Sequence, residues 1–291
     1  MHTPAEGMPA TNTPEPYGDK QRGRLAEELD AAFLGIPGKT SALVADMDED
    51  VVLYDRRSRD MTRAAACMKP FVMSALADRF YQKATDRSEL EGLLPSEHVI
   101  DADGDIPRPI EEMLSWLDEA PDDALDACIE LGGGIEKVSD FIRWRFDLAN
   151  TRMNRLMTDA TAMEEGRENY TTLHDIRSAL MDIMFPTPER GNLFAGSDIH
   201  REAILTVLQG SADSTGIVRL VSDRGEWKGM GAELPEFSLC HDAGVMVLGN
   251  RHLFMGIFTE YTQMDAYEVR RAMGEFGKIA CDWFEEACRQ G

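Results

Sequence analysis

Two periodicities alternate along this chain in an order that leaves few folds open. "QRGRLAEELDAAFL" spaces Leu25, Leu29, Ala32 and Phe33 at helical intervals, which predicts a first amphipathic helix. Past the breaker "GIPGK", the runs "SALVADM" and "DVVLYDRR" are short and β-like, split by "DED" in the manner of a hairpin. From residue 64 to about 210 the period turns helical through "CMKPFVMSALADRFYQKA", "PIEEMLSWLDEA", "DALDACIELGG", "IEKVSDFIRWRFDLA" and "TLHDIRSALMDIMF". Strand signals return in the β-branched "IVRLVSD", and in "AGVMVLGN" and "HLFMGIFTEY", which flank a Gly249-Asn250 turn. A long amphipathic helix, "MDAYEVRRAMGEFGKIACDWFEEACRQ", closes the chain. This order predicts an α+β molecule: one antiparallel five-stranded sheet built from both chain ends, flanked by the terminal helices, with an all-α domain inserted. The expected divisions are a disordered tail over 1–22, an α/β domain from 23–62 and 211–291, and an all-α domain over 63–210.

Charge narrows the partners. With 53 acidic against 30 basic residues the formal net charge is −23, which argues against nucleic acid or an anionic membrane surface. No stretch approaches the roughly 18 consecutive apolar residues of a membrane span. The segment "MHTPAEGMPATNTPEPYGDKQRGR" lacks the apolar core of a signal peptide. Five cysteines, odd in number and without a CxxC pair, fit a reduced, cytoplasmic setting. His98, His174, His200, His241 and His252 show no metal-ligand spacing, so neither metal nor other cofactor is expected. "DADGDIPRPIEE" has the acidic spacing of a calcium loop at its ends but prolines in its middle, and is expected to be an acidic surface loop.

One residue breaks the pattern. In "RAAACMKPFVMSAL" Lys69 stands among small and apolar side chains, where a charge is costly unless it has a partner or a task. That lysine, near the start of the first helix of the inserted block, together with the element order, resembles the serine β-lactamase and penicillin-binding protein superfamily, class A type, over roughly residues 24–290. In that family an S-x-x-K motif opens this helix, with the serine as nucleophile and the lysine one turn later moving its proton. Here the motif reads Ala66-Cys67-Met68-Lys69, so Ala66 holds the nucleophile position without an oxygen, and Pro70 follows as in many members. Cys67 is two residues from the lysine, about 100° around the helix, and reads as a buried structural thiol.

Weaker matches follow downstream. Aligning the Gly-Gly pairs sets Ala120-Pro121-Asp122 where the family has S-D-N, leaving Asp122 as the polar survivor. "ENYTTLHDIRSALMDI" resembles the helix start after the Ω-loop, with Thr171, Thr172 and Asp175 matching. The preceding "TRMNRLMTDATAMEEGR" lacks E-x-x-L-N, and Glu164 and Glu165 stand too near the threonine pair for a deacylating base. The K-[TS]-G strand is matched by "WKGMG": Lys228 would hold a substrate carboxylate, and Gly229 would let backbone approach the ligand. An earlier register, Asp223-Arg224-Gly225, discards the lysine. "HDAGVMVL" resembles the strand after it.

The resemblance implies a small-molecule substrate of amide, lactam or thioester type. Ala66 is either native or an introduced Ser→Ala change. Three functions stay open: a cytoplasmic enzyme derived from acyl-serine hydrolases or acyltransferases, a non-acyl enzyme using Lys69 as base or charged anchor, and a catalytically silent binding or regulatory protein.

Overall fold

The structure, a computed structural model, describes residues 17–33, 36–84, 121–187, 198–210 and 215–290. Helix α1 (Asp19–Phe33) leads into the hairpin β1 (Lys39–Asp46) and β2 (Val51–Arg56). A two-residue strand β3 (Thr62–Arg63) and a 3-10 turn (Ala65–Met68) then deliver the chain to α2 (Lys69–Ala84). The inserted block continues with α3 (Pro121–Leu131), α4 (Ile135–Arg145), α5 (Ala160–Glu164), the short β4 (Tyr170–Thr171), α6 (Leu173–Met184) and α7 (Asp198–Gly210). Strands β5 (Glu226–Leu234), β6 (Leu239–Leu248) and β7 (Arg251–Glu260) precede α8 (Ala266–Gln290).

The sheet has five antiparallel strands in the order β2-β1-β7-β6-β5, so the first and last thirds of the chain interlock at the β1–β7 pair. Gly249, at φ +64, and Asn250 make the two-residue turn between Leu248 and Arg251. Both faces of the sheet are covered, which is why "SALVAD" reads as a nearly continuous apolar run rather than an alternation. Ala42 and Val44 pack outward with Leu25, Leu29, Phe33, Phe276 and Phe284 of the terminal helices. Leu43, Ala45, Met230 and Phe254 pack inward with the helical block. Each fully buried Val, Leu, Met or Phe side chain among these contributes on the order of 1.5–3 kcal/mol. Gly256 of β7 is required by this packing: a Cβ there would come 2.6 Å from Leu173 Cδ2, and its absence lets α6 lie against the sheet.

Some expectations need correction. "IVRLVSD" is no strand. Residues Ile217–Leu220 form a 3-10 turn whose first N–H donates to the Asp242 carboxylate at 2.6 Å. Its β-branched side chains are buried beneath α8, where Gly277 admits the Ile217 carbonyl; a Cβ would meet that oxygen at 2.0 Å. Burial, which β-branching signals, is met here without strand pairing. The third C-terminal strand is instead β5, which carries Lys228. Order also begins before residue 22: Tyr17 is buried, donates its hydroxyl to Asp46 at 2.5 Å and lies 5.4 Å from the Trp283 ring. Residues 1–16, the acidic loop 101–112, the helix expected over 109–120 and Ala120 lie outside the described residues.

Candidate active site

The approach to Lys69 is held from several sides. Strand β3 pairs with β4 (Thr62 with Thr171, Arg63 with Tyr170), and the Ala64 N–H donates to the Asn169 carbonyl at 2.8 Å. The Arg63 carbonyl accepts from His241 Nε2 of β6 at 2.9 Å, while His241 Nδ1 accepts the Thr259 N–H at 3.2 Å. That pairing assigns the proton to Nε2 and requires a neutral ring. Burial pushes the imidazole down to about 4, and Phe258 stacks on it at 4.1 Å. Between these anchors Ala65 takes φ +44, a left-handed conformation uncommon for a residue with a Cβ. Ala66 follows at once, half-buried, and its carbonyl accepts the Lys69 N–H.

Lys69 is 5 % exposed, at the first turn of α2, with Pro70 beside it where a missing N–H is harmless. Cys67 is fully buried, and burial raises its thiol far above the ordinary range; Asp242 adds to this and Lys69 opposes it. A thiol so held is no nucleophile. Asp122, in the first turn of α3, keeps solvent contact. Desolvation of its carboxyl raises its pKa first and the charge of Asp126 second, while Lys69 and Arg155 pull it back. The fold therefore brings Lys69, Asp122, Asp126 and Arg155 into one electrostatic neighbourhood, from segments far apart in sequence.

Lys228 and Gly229 stand differently. Lys228 points to the inward face of β5 with Met230 and Ala232, and pairs with Glu226 at 3.3 Å, so a substrate carboxylate would have to compete with that partner. Gly229 faces the other way. A Cβ there would come 2.4 Å from Trp227 Nε1, and Trp227 belongs to the layer beneath the terminal helices. The bare Cα of Gly229 accommodates the Trp227 indole.

Reading by sequence missed the loop that follows. Arg155 and Glu168, each 4 % exposed at the side chain, form an ion pair at 3.1 Å and close the segment between them. Asp126 accepts the Met157 N–H (2.5 Å), the Thr158 N–H (2.9 Å) and the Thr158 hydroxyl (2.7 Å), pinning this loop to α3. Glu165 is turned to solvent and engaged by Arg167 at 2.7 Å. The legible signal was the pair of opposite charges bracketing the loop just ahead of Thr171-Thr172. Among the described residues no His, Cys, Asp and Glu cluster fits a metal ion, and no helix is long and apolar enough to cross a membrane.

Comparison with known proteins agrees with this architecture. The model of the Beta-lactamase enzyme family matches residues 24–284. The chain belongs to that family. Solved structures with the same fold include a class A β-lactamase from Bacteroides cellulosilyticus (TM-score 0.71, 15% identity, 91% of this chain and 99% of that one). A β-lactamase from Xanthomonas campestris pv. campestris is similar at TM-score 0.71 and 13% identity, covering 91% of this chain and 98% of that one. One from Chitinophaga pinensis gives TM-score 0.68 at 13% identity, over 92% and 100%. Among curated proteins no sequence matches.

Proposed function

We propose that this chain is a cytoplasmic enzyme of small-molecule metabolism, derived from acyl-serine hydrolases or acyltransferases, whose cleft takes an amide, lactam or thioester. The observation that supports it is the turn at Ala65 to Lys69. A strained residue, a nucleophile position and a buried cation follow one another there in the order acyl transfer needs. Backbone strain and a buried charge each cost stability, and both gather where a fold serves chemistry. With Ala66 in place, no oxygen is available for attack on a carbonyl, so no acyl-enzyme forms at that position. Lys69 then acts as base toward a bound water or anchors the substrate. All five cysteines are free, which accords with the proposed reducing compartment.

A second reading, a catalytically silent binding protein, draws support from Lys228. In acyl transfer that cation would hold a substrate carboxylate, and here Glu226 occupies it. Intact-protein mass spectrometry after incubation with a penicillin and with an activated thioester separates the two readings. The enzyme reading expects an adduct on Ala66→Ser and none on the parent, lost again when Lys69→Ala is added. Folded protein without adduct in both forms overturns acyl transfer and leaves Lys69 to other chemistry or to a binding site.

A further inference from the structure

A second pocket, apart from the Lys69 neighbourhood, lies between α4 and the segment leading into the Arg155–Glu168 loop. It has a volume of about 380 Å³ and is lined by Ser139, Arg143, Leu148, Thr151, Arg152 and Asn154 among others. That volume suits a small molecule. Its walls are fixed by hydrogen bonds that leave the arginine side chains uncommitted. The Ser139 hydroxyl donates to the Met153 carbonyl at 2.8 Å, and Thr151 donates to Asp175 at 2.8 Å. Asn154 donates its side-chain amide to the Glu168 carbonyl at 2.5 Å, and its backbone N–H to Asn169 Oδ1 at 2.7 Å. The Arg152 backbone exchanges both hydrogen bonds with Tyr170, at 2.8 and 2.9 Å.

The two guanidinium groups carry the charge of this pocket. In a chain with net charge −23, carboxylates are abundant, and Arg145, two residues beyond Arg143, holds Asp78 at 3.3 Å. Yet among the described residues no carboxylate pairs with Arg143 or Arg152. Asp140 and Asp147, the acids adjacent in sequence, do not line the pocket. Arg143 instead stacks over the exposed Trp144 ring at 4.9 Å, a contact that leaves its N–H fork available. Two forked cations lining one pocket match the bidentate geometry of a phosphoryl group. We propose that this pocket binds a small phosphorylated molecule through Arg143 and Arg152.

The test is calorimetric titration of the full chain with pyrophosphate, with inorganic phosphate and citrate as further arms, at low and at physiological salt. Saturable one-site binding of pyrophosphate is expected, weakening as salt rises. Arg143→Gln combined with Arg152→Gln should lower the affinity at least tenfold. The control pair Arg271→Gln with Arg289→Gln, on α8, should leave it within twofold. All four side chains are surface groups, so matched melting curves would confirm that only the site has changed. Absence of saturable binding at low salt, or binding that survives the double substitution, overturns the proposal. Citrate bound more tightly than pyrophosphate overturns the phosphoryl assignment.

Discussion

At Ala65 the left-handed backbone costs about 1–2 kcal/mol, because the Cβ crowds the neighbouring carbonyl. Glycine would remove that cost but loses about 0.4–1 kcal/mol through the freer unfolded chain. Ala65→Gly is therefore expected to stabilise by up to about 1 kcal/mol, and Ala65→Val to destabilise by about 2 kcal/mol, in urea unfolding. Loss of stability on Ala65→Gly would contradict the assigned conformation. His241, a few residues' packing away, makes a different prediction. Its folded pKa of about 4 lies below the ordinary histidine value, so the unfolded state takes up the proton first as pH falls. Its contribution is complete above about pH 6.5 and is lost as pH drops through 4, on the order of 3 kcal/mol in all. His241→Leu should be less stable at pH 7, leaving the Arg63 carbonyl and Thr259 N–H unpaired, but should show a shallower decline between pH 6.5 and 4. An unchanged slope would place the titration elsewhere.

The Arg155–Glu168 loop shows how elements are joined. Removing one member of a buried ion pair strands the other charge, whereas removing both need not cost much. Arg155→Met is accordingly expected to lose about 3–5 kcal/mol in denaturant unfolding, with much of it recovered by adding Glu168→Leu. Asp126 ties the same loop to α3 through three accepted hydrogen bonds. Asp126→Ala should speed hydrogen exchange at Met157 and Thr158 while the sheet amides stay protected. Uniform loss of protection would instead mean that the loop and the sheet open together.

Over the whole molecule the acidic excess dominates. A net charge of −23 repels itself more in the compact state than in the expanded one, and salt screens that repulsion. Raising ionic strength from about 10 to 150 mM is expected to raise Tm by a few degrees, about 2–5 °C, in a scanning experiment. A Tm that falls with salt would show that paired charges such as Arg251 with Asp46 outweigh the net repulsion.

The periodic order of apolar residues, read along the chain, was enough for the antiparallel sheet made from both ends and for the inserted helices, because amphipathic periodicity is a local property. It also picked out Lys69, since a charge within an apolar run is visible in any window, whereas the missing oxygen at Ala66 came from the resemblance to the S-x-x-K motif. Packing decided the rest. "IVRLVSD" had the composition of a strand, yet α8 and Asp242 offered burial and a hydrogen-bond partner that made a turn sufficient. Gly229 belonged to a ligand-binding pattern, yet the pleat turned its open side toward Trp227. The gathering of Asp122, Asp126 and Arg155 near Lys69, and the joint lining of one pocket by Arg143 and Arg152, depend on residues brought together only when the helices dock. Local chemistry is written in order along the chain, while a site is a coincidence of distant residues, which only the tertiary structure supplies.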